Sequence, residues 1–300
     1  MNLYAPKYYS KFHCIADRCK HSCCIGWEID IDEATLKKYQ DCTHCYGEQI
    51  RASIDSEETP HFRLGVEERC PHLNERGLCK IILSAGEDLL CDICREHPRF
   101  YHDTSYGKEV GIGMACEEAC RLILSSDEYA EMIKIEELPF ETEERDFDAI
   151  AHRERVFLLL SDRSLSYFDR MNAIALAYDV SASVCTDEEW RDLFANLEYL
   201  DEAHRTSFLQ YTSNVCTPEK LEKPLERAFA YFVFRHCSDA YDMDEFRAGL
   251  GFAMLCVRLL ASLAMKNEDL AECARILSEE LEYSEENTEA IKLVFYDQYV

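Results

Sequence analysis

Residues 13–32 read HCIADRCKHSCCIGWEIDID. Cys14, Cys19, Cys23 and Cys24 stand close together there, and Cys42-x2-Cys45, Cys70-x8-Cys79, Cys91-x2-Cys94 and Cys116-x3-Cys120 follow. Twelve of the chain's 17 cysteines thus fall in the first 120 of its 300 residues. Crowding of this kind has two common explanations, disulfides and metal. The choice between them decides how the front of the chain folds.

Metal is the better reading. The opening MNLYAPKYYSKFHC is polar and aromatic, so no secretory signal is expected. The thiols are then expected in the cytoplasm, where disulfides rarely persist. A chain of this length can also bury a core without covalent staples. Thiolate softness selects zinc or an iron–sulfur cluster over magnesium or calcium. The paired spacings Cys42-x2-Cys45 and Cys91-x2-Cys94 are common to zinc ribbons and iron–sulfur proteins and leave those two open. Adjacent Cys23 and Cys24 do not easily ligate one ion together, so one of them serves a second metal or packs.

Composition divides the chain. Residues 1–120 carry 14 Lys+Arg against 21 Asp+Glu, and the remaining 180 carry 18 against 38, within a net charge of −27. Two modules are expected: a cysteine-rich metal-binding module over 1–125 and a helical bundle over 145–300. Strong negative charge disfavours nucleic acid and anionic membrane as partners. It suits a soluble surface or a lysine-rich partner. The longest apolar run, Leu250 to Met265, contains Arg258, is too short to span a bilayer and reads as a buried helix.

The front half predicts short mixed elements. Gly26 to Ile31 alternates like a strand, Asp32 is placed to cap a helix over Glu33–Gln40, and His61 to Leu64 reads as a second strand. Lys80 to Leu90 has helical spacing with Gly86 as an irregularity, and Pro98 closes the element that follows. Arg99–His102 and Glu109–Gly113 flank a Ser105–Gly107 turn and suggest a hairpin. Cys116 to Leu124 reads as helix, with Cys116 and Cys120 on one face. From residue 145 helical spacing runs through Phe147–Leu160, Tyr167–Tyr178, Asp187–Tyr199, Pro218–His236, Asp244–Met265, Asp269–Leu281 and Asn287–Tyr299. Thr186 with Glu189 forms a capping box, and Pro218 fits the first helical position behind Thr217. The fold class is therefore mainly α: a cysteine-rich α+β module followed by an all-α bundle.

Other chemistry is thin. His13, His21, His72 and His97 lie near cysteines but read as surface or supporting groups rather than ligands. Gly111-x-Gly113 is a hairpin glycine pair, not a dinucleotide loop. Glu279 and Glu282 could share a helix face with Arg275, while Arg235 and His236 interrupt an apolar helix. Both sets read first as interhelical salt bridges. Cys185, Cys216, Cys237, Cys256 and Cys273 read as small buried hydrophobes. No thiol is singled out beside a histidine and an orienting group, which disfavours a cysteine-nucleophile hydrolase.

These residues carry a resemblance. Lys11 to Cys14 and Cys23 to Asp32 resemble the opening of the flagellin lysine-N-methylase family, itself related to cysteine-cluster proteins with zinc- or iron-chelating domains. Cys70-Pro71-His72-Leu73, Leu78-Cys79-Lys80-Ile81, Cys94 to Arg99 and Cys116 to Arg121 are similar too. Tyr231 to His236 and Ser278 to Asn287 resemble its later blocks. The resemblance implies Cys14, Cys19, Cys23, Cys24, Cys70, Cys79, Cys94 and Cys116 as metal positions, with Cys42, Cys45, Cys91 and Cys120 as extras. Tyr283 stands where the family pattern leads one to expect histidine.

The implied function is S-adenosylmethionine-dependent methylation of lysines on flagellin or another lysine-bearing protein, beside a zinc or iron–sulfur centre. The alternative is a non-catalytic metal-binding and protein-interaction module. Methyl transfer needs no metal. The centre is therefore expected first as a structural support and next as a redox sensor. A cluster holding the donor comes last, since the x4 and x3 gaps differ from the x3 and x2 of radical enzymes.

Overall fold

The computed structural model describes residues 1–26, 28–57, 59–139, 145–181 and 184–299. Among them lie six strands: β1 (Asn2–Pro6), β2 (Ile54–Asp55), β3 (His61–Phe62), β4 (Arg99–Thr104), β5 (Gly107–Ile112) and β6 (Met132–Glu137). The first helices are α1 (Glu33–Asp41), α2 (Gly47–Ala52), α3 (Lys80–Ala85), α4 (Asp92–Glu96), α5 (Glu117–Ser125) and α6 (Ala149–Leu160). Then come α7 (Tyr167–Tyr178), α8 (Asp187–Ala195), α9 (Glu202–Phe208), α10 (Glu219–Cys237), α11 (Met243–Ala264), α12 (Leu270–Leu281) and α13 (Glu285–Tyr296). The chain is mainly α with a small mixed sheet.

Two compact units divide it: His13–Phe100, and a larger one made of Met1–Phe12 with Tyr101–Val300. Strand pairing explains why the opening residues leave the cysteine-rich stretch. β1 lies parallel to β5 and antiparallel to β6, so the sheet runs β4-β5-β1-β6. Residues 1–12 and 101–125, grouped by composition with the front, accordingly fold with the helices.

In the smaller unit Asp32 caps α1, accepting from the Thr35 N–H at 2.8 Å. Its other oxygen accepts from the Asp92 N–H at 3.0 Å, so one carboxylate holds the starts of both α1 and α4. Among the described residues of Gly26–Ile31, where a strand is expected, no named strand forms. Gly26 has φ +80°, which turns the chain, and only isolated bridges Ile25–Arg69 and Asp30–His61 remain. Trp27, inside that stretch, lies outside the described residues. The helix expected over Lys80–Leu90 stops at Ala85, because Gly86 at φ +86° ends it and a 3-10 turn over Glu87–Leu89 follows. The second expected strand survives as β3, paired with β2.

In the larger unit, Glu109 of β5 and Arg153 of α6 form a buried pair, with Nη1–Oε2 at 2.5 Å and Nη2–Oε1 at 2.8 Å. Arg153 also donates to Ser238 Oγ at 2.6 Å, and Tyr106 donates to Glu109. The Thr186–Glu189 capping box forms at the start of α8. Pro218 takes the N-cap of α10 rather than its first helical position, with extended ψ 142°. α9 was not expected, because a single buried aromatic, Phe208, anchors its polar sequence.

α11 is the central helix. By length and composition its 22 residues could cross a bilayer, longer than the apolar run suggested, yet they are mostly buried within the protein. Two glycines set its approach to neighbours. A Cβ on Gly249 would stand 2.1 Å from the His236 carbonyl oxygen, and one on Gly251 would stand 2.3 Å from the Phe295 ring. We expect Gly249→Ala to lower stability by about 1–3 kcal/mol through overpacking. A shift of the urea midpoint at constant slope would report it. An unchanged midpoint would mean that α10 and α11 do not depend on this approach.

Candidate metal centre and a buried acid–base cluster

Five thiols meet in the smaller unit. Cys70 and Cys91 belong to a core with Ile29, Tyr39, Ile81 and Leu90, and Cys24, Cys79 and Cys94 pack against it. They come from separate stretches, each brought in by local backbone bonding. The Cys70 N–H donates to the Cys24 carbonyl at 2.8 Å. Between Cys70 and Cys79 the chain doubles back through Asn74–Gly77. There the Asn74 side chain accepts from the Arg76 and Leu78 N–H groups, and Leu73 bridges to Cys79. Cys91 is the N-cap of α4 and Cys94 its third residue, positions whose side chains meet on one helix end.

The thiols act on one another electrostatically. Burial pushes Cys70 up to about 11, and Cys24, Cys79 and Cys91 add to the rise. Cys79 is raised by burial, with Cys24 and Cys91 contributing. A hydrogen bond between Cys91 and Cys94 favours the thiolate on Cys91 and the thiol on Cys94. Cys24 is lowered to about 7, first by its hydrogen bond with Cys23. The neighbouring histidine does not compete for a ligand role. His72 is buried, with Nδ1 at 3.0 Å from Tyr46 Oη and Nε2 at 2.9 Å from Ser53 Oγ. Burial takes it down to about 4.

Of the expected metal positions, Cys24, Cys70, Cys79 and Cys94 are drawn together. Cys14 and Cys23 are exposed, Cys23 reaching Cys24, and the Cys19 thiol donates to the His21 carbonyl at 2.9 Å. Cys116 lies in the larger unit as the N-cap of α5. Cys91, outside the family-implied set, is wholly buried among the gathered thiols. Its Cys-x2-Cys spacing to Cys94 was the signal that could have included it.

A soft donor set of this kind suits zinc or an iron–sulfur cluster. Among the described residues no three of these sulfurs form a group within 4.8 Å of one another. Thiolates on one tetrahedral zinc, at about 2.3 Å from the ion, would be roughly 3.8 Å apart. The three possible ligand atoms that do lie that close belong to His204, Glu279 and Glu280. There Glu280 already accepts from the Leu200 and Asp201 N–H groups and from His204, and Glu279 pairs with Arg275. That set is a helix anchor.

In the larger unit the two later family-like blocks meet at Glu282. Oε1 accepts from His236 Nε2 at 2.7 Å and lies 3.4 Å from Arg235 Nε, and Oε2 accepts from Tyr231 Oη at 2.9 Å. Tyr231 Oη in turn accepts from Arg235 Nη1 and the Met114 N–H. Burial pushes the Glu282 carboxyl up, but Arg235 and His236 more than offset it and hold it below the usual range. Burial takes His236 down to about 4. The expected salt bridge from Arg235 is therefore present. Arg275 instead pairs with Glu272 and Glu279 on its own helix and leaves Glu282 to α10. Gly111 lies inside β5 and Gly113 just beyond it, neither opening a helix.

Comparison with known proteins finds 30% identity over 132 residues, 40% of this chain, to three Salmonella proteins. Two are named Lysine-N-methylase, from Salmonella typhimurium and Salmonella choleraesuis, and 32% of each is covered. The third is Flagellar biosynthetic protein FliU from Salmonella muenchen, of which 75% is covered. The match thus spans about a third of the length of the lysine-N-methylases. No family model and no solved structure matches.

The neutral imidazole of His236 gives a pH prediction. Its pKa is about 4 when folded, against an ordinary 6.5 in the unfolded chain. The unfolded state therefore binds the proton first, and stability falls as pH drops from 6.5 toward 4. His236→Gln should make that part of the stability–pH curve shallower, with the remaining slope coming from His72 and His97, which burial also takes down to about 4. An equal slope in the variant would place the loss elsewhere.

Proposed function

The chain belongs to the flagellin lysine-N-methylase family, and on that premise we propose that it methylates lysines of flagellin with S-adenosylmethionine as donor. A thiolate-bound metal centre in His13–Phe100 supports the fold that does so. The gathering of Cys24, Cys70, Cys79, Cys91 and Cys94 into one core carries the metal part of the reading. Thiolates gathered in this way suit an iron–sulfur cluster and a zinc ion alike. Bound there, the centre supplies cross-linking between segments that have short helices of their own.

The reaction itself needs a neutral amine in line with the sulfonium methyl group. A nitrogen–carbon bond forms as the sulfur–carbon bond breaks, and a proton must leave a lysine whose ordinary pKa is about 10.4. Glu282 is a poor proton acceptor for this. It is buried, and Tyr231, His236 and Arg235 already occupy its oxygens. Its work is to hold the end of α12 against α10. Exposed Glu285, Glu286 and Glu289 add to a surface field that draws in a cationic segment.

The saturation of Glu282 also favours the second reading, a non-catalytic metal-binding and interaction protein. Transfer of labelled methyl from S-adenosylmethionine to flagellin lysines, followed by mass spectrometry, separates the two. Methylated flagellin is expected, and binding without transfer would leave the interaction role. Binding should weaken as salt shortens the Debye length from about 10 Å at 0.1 M.

Anaerobically purified protein should contain thiolate-bound metal by elemental analysis. Cys94→Ser should lose it and destabilise His13–Phe100, because a hydroxyl replaces a soft ligand poorly. Cys256→Ala, deep in α11, should keep it. Equal loss from both variants would overturn the ligand assignment.

A further inference from the structure

We propose that Cys91 and Cys94 are an oxidation site, closing into a disulfide by exchange with a low-molecular-weight disulfide when the metal is absent. The inference rests on the metal reading above only for the protection it predicts. Its basis is the placement of the two thiols at the N-cap and third residue of α4, with a hydrogen bond between them. The pair also stands apart from the other gathered thiols in being two residues of one short segment. Cys24, Cys70 and Cys79 each need the tertiary fold to approach them, whereas Cys91 and Cys94 stay neighbours whatever happens to the rest of the core.

Exposure divides the labour. Cys94 is partly exposed and Cys91 wholly buried, so an incoming disulfide meets Cys94 first. The Cys94 proton first passes along the hydrogen bond to Cys91. The Cys94 thiolate that solvent exposes then attacks one sulfur of the reagent, forming a mixed disulfide and expelling the other half, which takes up a proton as a thiol. The Cys91 sulfur then attacks Cys94, forming the internal bond and expelling the second half. Two protein thiols are oxidised, one reagent disulfide is reduced, and both protons end on the two expelled thiols.

The sequence makes the test direct, since trypsin should release residues 81–95 as one peptide, IILSAGEDLLCDICR, holding these two cysteines alone. Full-length protein, as purified anaerobically and after metal removal by chelation under reductant, would be exposed to oxidised glutathione. Free thiols would then be alkylated and the digest weighed. In the metal-free protein the peptide should appear unalkylated and lighter by two hydrogens than its dithiol. In metal-loaded protein it should emerge doubly alkylated after denaturation. Cys91→Ser should trap glutathione on Cys94, whereas Cys94→Ser should leave Cys91 free.

A doubly alkylated peptide from oxidised metal-free protein, or Cys91 joined to another cysteine, would overturn the proposal. Glutathione trapped on Cys91 in the Cys94→Ser variant would overturn the assigned order of attack. Metal content is measured on the same samples. Protein purified without metal that still forms the Cys91–Cys94 disulfide would refute the metal reading and uphold the oxidation site.

Discussion

The buried pair of Glu109 and Arg153 is the interaction on which the larger unit depends. It joins a strand to a helix far along the chain, and both side chains are almost wholly withdrawn from water. Such a pair offsets its desolvation only through good geometry and further hydrogen bonds around it. Tyr106 and Ser238 add further hydrogen bonds, with Arg153 Nε left buried and unpartnered, so the pair also fixes the β4–β5 turn and the end of α10. Removing one partner would leave an uncompensated buried charge. This explains how a sheet containing the chain's opening strand stays registered on helices that begin near residue 149.

The smaller unit rests on a different constraint. Its helices are short, between five and nine residues, and cannot hold themselves without tertiary support. Support comes from Asp32, which caps two of them, from His72, which ties Tyr46 to Ser53, and from the gathered thiols. On the proposed reading the metal is a cross-link for this unit. The same dependence makes metal loss a point of chemical exposure, which is where the Cys91–Cys94 pair would act.

Periodicity made most helices of the larger unit legible, because α10, α11 and α12 each turn a wide apolar face inward. It could not show β1 or β6. β1 has five residues, and its partners lie about a hundred residues away. β6 is largely exposed and lacks a clean inward row. The Gly26–Ile31 pattern misled because alternation does not report the φ of Gly26, which turns the chain before a ladder can form. At the thiol site, spacing and resemblance together indicated Cys24, Cys70, Cys79 and Cys94. Cys91, read there as an extra cysteine in a Cys-x2-Cys pair, packs with these four.

Tyr283 shows how a departure from a family pattern can be absorbed. The guanidinium of Arg235 lies over its ring, 5.2 Å from the centroid. A tyrosine there offers a broad electron-rich face to a cation and, with its hydroxyl pKa raised by burial, stays neutral. A histidine would offer a smaller face and could itself become positive beside Arg235. The tyrosine thus suits holding Arg235 against Glu282 better than moving a proton. That arrangement agrees with a Glu282 whose oxygens are already filled. On the proposed reading, a proton acceptor for a lysine therefore lies outside this cluster, at a group that the solvent or the substrate can reach.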